Sequence, residues 1–246
     1  MKPTTEGGIG SAVNRIAALI YPHRCFLCDT VLPYPQTVCE TCAKTLLRFS
    51  EMRGAVCDVC GMPLKTCCCR ANRLYEKAVF PLLYDGEAKR AVYRFKFRGR
   101  KDLAKPFARA IENALRERDA LDGIDLITFV PMTKAATRKR GYNQARLLCE
   151  ALQKETGLPM EPLLTKQRAN RTQHDLTDRL FRSGNVLGVY EPEEGSLPQI
   201  EGKSILLIDD ILTTGATLNE AAKTLLIFGA ESVTVCVIAA VPKKKK

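Results

Sequence analysis

Two sets of side chains in this sequence have the types and spacing to do chemistry. The first is an adjacent pair of carboxylates, Asp209 and Asp210, followed by Thr213, Thr214, Gly215, Ala216 and Thr217. Neighbouring carboxylates accept hydrogen bonds from sugar hydroxyls, or sit beside a hydrated magnesium ion. A short run of small and hydroxyl-bearing residues at the start of a helix lets a phosphate approach unpaired backbone N–H groups. A ligand carrying both a sugar diol and a phosphate would suit this arrangement. A Walker loop is excluded, because the GxxxxGK[ST] pattern and its lysine are missing. In a receiver domain the acidic pair opens the domain, whereas here only one helix and one strand follow it.

The second set is the cysteines. The chain has 11, and nine lie between positions 25 and 69. Cys25-x-x-Cys28, ten residues, then Cys39-x-x-Cys42 is the spacing of a four-thiolate zinc site built from two tight knuckles. Cys57-x-x-Cys60 opens a second such site, which Cys67-Cys68-Cys69 must complete. Three cysteines compete for two places. In an extended Cys-x-Cys, Cys67 and Cys69 point the same way, so these two are preferred and Cys68 is left free. Disulfides are disfavoured without a secretion signal. Structural zinc is therefore expected at Cys25, Cys28, Cys39 and Cys42, and at Cys57, Cys60, Cys67 and Cys69, in ribbons whose folding depends on metal more than on a core.

The elements that must position these groups are readable from periodicity. Ile205 to Ile208 is a buried strand that the acidic pair closes, and Leu218 to Phe228 is a helix stopped at Gly229. Ala78 to Tyr84, Asp125 to Val130, Val186 to Tyr190 and Ser232 to Ala240 read as further strands. Lys101 to Arg118 reads as a helix, and another helix begins near Asn143. Strands alternating with helices imply a mostly parallel α/β sheet. The expected division is a short amphipathic helix at 1–20, a double zinc ribbon at 21–72, an α/β domain at 73–241 and a basic tail at 242–246.

Three further stretches carry charge. Gly86 to Ala104 interleaves Arg94, Lys96 and Arg98 with Tyr93, Phe95 and Phe97. Such a pattern suits single-stranded nucleic acid, by stacking and phosphate neutralisation; an amphipathic helix with its aromatics in the core and its charges in water is the better fit. The segment after Val130 carries Lys134, Arg138 and Arg140 in what reads as a basic loop. At the carboxyl end of a parallel strand, such a loop can hold a diphosphate. Residues 163–185 read as a mobile lid carrying Arg168, Gln173 and Arg179, helical over 175–182, with His174 a solvated loop histidine.

The formal net charge is +11. Setting aside the four C-terminal lysines still leaves a basic chain, suited to polyanions such as nucleic acid or pyrophosphate. No apolar run approaches the roughly 20 residues of a membrane span. The N-terminal region lacks a secretory pattern, so a cytoplasmic protein is expected.

The run IDDILTTGATL resembles the phosphoribosyl diphosphate (PRPP) motif of type I phosphoribosyltransferases. Taken with the double CxxC ribbons, FKFRGR, RKRGYNQ and the spaced Arg168, Thr172, Gln173, Leu176, Arg179 and Asn185, the chain is similar to the ComF family, including its GntX-like members. The likeness runs from about Tyr21 to Val241. It implies a type I phosphoribosyltransferase fold behind zinc ribbons. Asp209 and Asp210 would hold the ribose 2′ and 3′ hydroxyls and act in catalysis. Thr213, Thr214, Gly215, Ala216 and Thr217 would cradle the 5′-phosphate, and Lys134, Arg138 and Arg140 the pyrophosphate, with magnesium. The family is associated with natural transformation, which implies single-stranded DNA and other competence or recombination proteins as partners. The resemblance does not supply an acceptor for transfer. A PRPP-sensing nucleic-acid-binding module without transfer is the alternative. The Cys67-Cys68-Cys69 triplet departs from the spaced pair of many members.

Overall fold

The computed structural model describes residues 22–48, 51–52, 55–65, 67, 73–166 and 188–242. The N-terminal helix expected at 1–20, Cys68, Cys69, the lid residues Arg168, Gln173 and Arg179, His174, the helix expected at 175–182 and the lysines at 243–246 lie outside these residues.

Alternating apolar segments build a five-stranded parallel sheet. Its strands are β1 (Lys77–Val79), β2 (Leu82–Leu83), β3 (Leu126–Phe129), β6 (Ser204–Leu212) and β7 (Ser232–Ala240). The order is β1-β7-β6-β3, and β2 continues along β7 beyond β1. β6 is central, with Ile127 opposite Leu206 on one side and Leu206 opposite Thr234 on the other. A separate antiparallel pair joins β4 (Leu164–Lys166) to β5 (Tyr190–Pro192).

Both faces of the sheet are covered, which is why its strands are apolar at nearly every position. Ile127, Phe129, Leu206, Ile208, Cys236 and Ile238 pack with helices α2 (Gly86–Phe97), α3 (Ala104–Glu117) and α5 (Gln144–Thr156). Leu126, Ile205, Leu207, Val233, Val235 and Val237 pack with α7 (Ala216–Ile227). Among the described residues, two four-residue helices, α1 (Glu40–Ala43) and α6 (Leu197–Ile200), complete the set with α4 (Lys134–Arg140).

Several elements differ from the sequence expectation. β6 does not end at the acidic pair: it runs through Asp209 and Asp210 to Leu212, because β7 still offers Val237, Ala239 and Ala240 as partners. The strand expected over 78–84 is split at Phe80-Pro81, where Pro81 has no N–H to give and its carbonyl accepts from Leu47 N at 2.8 Å. The basic loop after Val130 contains α4, held by its ends. Thr133 accepts from Ala136 N at 3.2 Å, and Gly141 closes the helix. Lys101 to Leu103 forms a 3-10 turn ahead of α3. The strand expected to end at Tyr190 instead starts there.

The two cysteine knuckles dock on opposite faces of the sheet, each gripped by an arginine from the α/β body. Phe26 and Leu27, inside the first knuckle, join the core of α2 and α3, with the Phe26 and Phe107 rings 5.6 Å apart edge to face. Arg94 Nη2 donates to the Leu27 carbonyl at 2.6 Å. Cys60 and Met62, in the second, join the core under α7. Arg118 donates to Ala78 O and Asp58 O at 2.8 Å each and to Cys57 O at 3.2 Å. Gly61 must be glycine. Its φ is +68°, and a Cβ there would lie 2.5 Å from the Ala78 carbonyl and 2.6 Å from Arg118 Nη1.

Arg118→Met would strip three backbone carbonyls of their donor while keeping most of the side chain's bulk. A loss of about 2 kcal/mol of unfolding free energy in urea is expected, with zinc present throughout. An unchanged midpoint would mean that the grip contributes nothing.

Candidate functional site

β3 ends at Phe129, opposite Ile208, while β6 continues to Leu212, and a cleft of about 210 Å³ opens beyond the carboxyl end of β3, beside the last residues of β6. This is where open α/β sheets place ligands. Asp209 and Asp210 line it from β6, Thr217 from the first turn of α7, Arg140 from the end of α4, and Lys166 and Tyr190 from the antiparallel pair. Lys134 and Arg138 are exposed on α4. Of the three basic residues expected to hold pyrophosphate, only Arg140 lines the cleft. Its guanidinium donates to Gln144 Oε1 at 2.7 Å and lies 5.2 Å from the centre of the Phe97 ring.

The turn between β6 and α7 is built as the sequence suggested. Gly215 caps α7 with φ +84°, a conformation that glycine adopts without strain. Thr214 Oγ1 accepts from Ala216 N at 3.3 Å. Thr213, Thr214, Ala216 and Thr217 are exposed and Gly215 is buried, and of these five residues Thr217 alone lines the cleft.

The acidic pair is not alone. Lys96 Nζ lies 2.8 Å from Asp210 Oδ2, and their side chains are 18% and 14% exposed. Asp210 N donates to Asp209 Oδ1 at 2.8 Å. Loss of water pushes Asp209 up to about 7, and the charge of Asp210 adds to the shift; Lys96 and Lys166 oppose it. Burial, aided by the charge of Asp209, also pushes Tyr190 up to about 12.

The residues expected to bind nucleic acid divide. Arg94 turns inward to the first knuckle and Lys96 to Asp210, leaving Arg98 outside, 5.9 Å from the Tyr93 ring centre. A helical wheel could have found Lys96. It follows Ala88 and Val92 at i+8 and i+4, at the margin of the buried stripe of α2.

The first cysteine cluster brings Cys25, Cys28, Cys39 and Cys42 together, with their sulfurs within 4.8 Å of one another. A tetrahedron with Zn–S arms of roughly 2.3 Å has edges of about 3.8 Å. Cys28 Sγ and Cys39 Sγ are 3.8 Å apart, so the donor set fits zinc. Cys57, Cys60 and Cys67 form the second cluster, with 3.5 Å between Cys60 and Cys67 sulfurs. Its expected fourth thiolate, Cys69, lies outside the described residues.

Two measurements check this chemistry. Elemental analysis should return two zinc ions per chain, falling to one in Cys25→Ser/Cys42→Ser; less than one in the parent would remove the ribbon assignment. Asp209 gives a stability signature. Its folded pKa stands above the unfolded value, so between about pH 4 and 7 the folded state keeps a proton that the unfolded chain has released, and stability falls as pH rises through that window. Asp209→Asn should therefore exceed the parent by on the order of 2 kcal/mol at pH 8 and match it at pH 3. Equal stability at pH 8 would mean that Asp209 titrates normally.

Known proteins resemble this chain along most of its length. Residues 139–246 match the family described as phosphoribosyl transferase domain, and residues 16–75 the double zinc ribbon domain. The DNA utilization protein YhgH of Salmonella typhimurium is 30% identical over 228 residues, covering 88% of this chain and 96% of that protein. Competence protein ComFC of Bacillus subtilis is 27% identical over 236 residues, covering 87% and 92%. Competence protein F of Haemophilus influenzae is 27% identical over 225 residues, covering 86% and 94%. Among solved structures, a B. subtilis glutamine PRPP amidotransferase aligns over 58% of this chain and 30% of its own, at TM-score 0.37 and 20% identity, too loosely to bear on the site. The relatives share both the ribbon region and the α/β region in one continuous match, and the chain belongs to the ComF family.

Proposed function

We propose that the chain binds PRPP with magnesium in the cleft and serves the handling of single-stranded DNA in natural transformation. The observation that carries the PRPP reading is a single cleft shared by Asp209, Asp210, Arg140 and Thr217 at the carboxyl end of the sheet. On this reading Asp209 and Asp210 accept from the ribose 2′ and 3′ hydroxyls. Thr213 to Thr217 receive the 5′-phosphate at the start of α7, where backbone N–H groups and the helix dipole favour an anion. Arg140 and Lys96 face the diphosphate, with Lys134 and Arg138 further out on α4. Arg168, Gln173 and Arg179, outside the described residues, are assigned the lid role on sequence grounds alone. Magnesium neutralises part of the diphosphate charge when bound. Ligand hydroxyls compete with Lys96 for Asp210, freeing its ammonium to turn toward the incoming diphosphate.

If transfer occurs, positive charge develops at the ribose C1 as pyrophosphate leaves. The carboxylates would favour that charge, and the cations the departing anion. One observation favours sensing without transfer. Among the described residues the cleft lining offers one aromatic ring, Tyr190, which is 3% exposed and not free to stack on an acceptor base.

The DNA reading is supported by α2 and by the likeness to the DNA utilization protein YhgH. Tyr93 and Phe97 are 48% and 56% exposed, with ring centres 5.1 Å apart. Arg98 and Arg140 flank them. Exposed rings beside guanidinium groups suit unstacked bases and their phosphates. We divide the chain at 21–72 and 73–241. We place it in the cytoplasm, where reduced thiols can hold zinc, beside other competence or recombination proteins.

Calorimetric titration of PRPP with magnesium tests the first reading. The parent should bind and Asp209→Ala should lose at least tenfold in affinity, as expected when a charged hydrogen-bond partner worth about 1.5–3 kcal/mol is removed. No binding by folded, zinc-loaded parent would overturn it. Fluorescence anisotropy with a labelled single strand tests the second. Tyr93→Ala/Phe97→Ala should weaken binding by about tenfold or more, given 1–3 kcal/mol per stacked base. Equal affinity would move DNA elsewhere. Pyrophosphate release across a panel of bases and nucleic acids would decide for transfer.

A further inference from the structure

The phosphate loop carries no cation of its own. Thr213, Thr214, Gly215, Ala216 and Thr217 include neither lysine nor arginine. Lys96 is committed to Asp210, and Arg140 donates to Gln144. A phosphate monoester holds close to two negative charges at neutral pH, and neutral N–H and hydroxyl donors balance them only in part.

One guanidinium does reach the loop, and it comes from outside the α/β body. Arg73 lies in the segment that leaves the second cysteine cluster and enters β1. A Cβ placed on Gly215 would fall 3.3 Å from Arg73 Cζ and closer still to Nη1. The missing side chain of Gly215 is thus what admits the guanidinium. The approach is held from both sides. Arg73 lies 5.3 Å from the Tyr75 ring centre and donates to the Tyr75 hydroxyl, while Tyr75 itself is 2% exposed. Leu74 N donates to Asn219 Oδ1 at 2.8 Å, tying the segment to the first turn of α7. Among the described residues no carboxylate pairs with Arg73, so its charge is available to an anion.

We propose that Arg73 is a ligand of the phosphate bound at the Gly215 loop, so that the segment leaving the second zinc ribbon completes the sugar-phosphate site. The inference rests on the PRPP reading and adds a residue to it. The planar guanidinium can offer two N–H groups to one phosphate while its face stays on Tyr75. Arginine at this position also explains a glycine whose Cβ would otherwise collide with it.

The test separates the two ends of the ligand. Ribose 5-phosphate, pyrophosphate with magnesium, and PRPP with magnesium are titrated calorimetrically into the zinc-loaded parent, Arg73→Gln and Arg73→Lys. In Arg73→Gln, ribose 5-phosphate and PRPP are expected to weaken by about tenfold or more, the worth of one charge-assisted hydrogen bond, with pyrophosphate unchanged. Arg73→Lys keeps the charge without the fork and should fall between. Parent-like affinity of Arg73→Gln for ribose 5-phosphate overturns the proposal and leaves the PRPP reading standing. An equal loss for pyrophosphate also overturns it, since that marks a damaged fold rather than a lost phosphate ligand. A parent that binds neither ribose 5-phosphate nor PRPP overturns both.

Discussion

Two carboxylates side by side where a buried strand emerges from its sheet repel each other and lose part of the water that would stabilise them. The construction around the cleft answers that constraint. Asp209 lies opposite Val237 of β7, just past the point where β3 ends at Phe129 opposite Ile208, so the pair stands half-buried at the mouth of the sheet. Their relief comes from Lys96 at 2.8 Å, from the Asp210 N–H on Asp209, and from a proton that Asp209 holds into the neutral range. A diol and a hydrated cation offer the same kind of relief. On the proposed reading, binding would exchange these internal partners for ligand groups.

The same helix serves both halves of the molecule. Arg94 and Lys96 are two residues apart on α2 and point to opposite tasks, one to the carbonyls of the first knuckle and one to the acidic pair. At 100° per residue, positions i and i+2 lie on nearly opposed faces, so one short helix can fasten the cysteine-bearing segment and reach the acidic pair. Arg118 repeats the grip on the second knuckle from the end of α3, with acceptors in both the knuckle and β1. Each of these basic residues is spent inside the fold, so the net charge of the sequence overstates what its surface presents.

How much could be read beforehand follows from which forces write into short segments. The strand, acidic pair and threonine loop were legible because a buried apolar run, a charge step and a small-residue turn are all local. The cysteines were legible by spacing alone, and the crossover of strands and helices by alternation. Less visible were features that depend on what faces them. α4 has four basic residues among seven and no apolar stripe, so periodicity reads it as loop; its caps, Thr133 and Gly141, make it a helix. The inward turns of Arg94 and Lys96 depend on carbonyls and carboxylates far away in sequence. Arg73 is a lone basic residue at the edge of a cysteine-rich segment, and nothing near it in sequence points to Gly215.

The docking of the knuckles changes what kind of object the ribbon region is. Phe26 packs on Phe107, and Met62 and Cys60 share a core with Phe80. A shortened chain beginning at the first strand would therefore uncover apolar surface on both sides of the sheet. It would also leave the β2 edge without the Leu47 N–H that now meets Pro81 O. Bare sheet edges and exposed aromatic surface invite self-association. The ribbons thus act as a built-in cover for an otherwise sticky sheet, and the solubility of the α/β body is tied to the supply of metal.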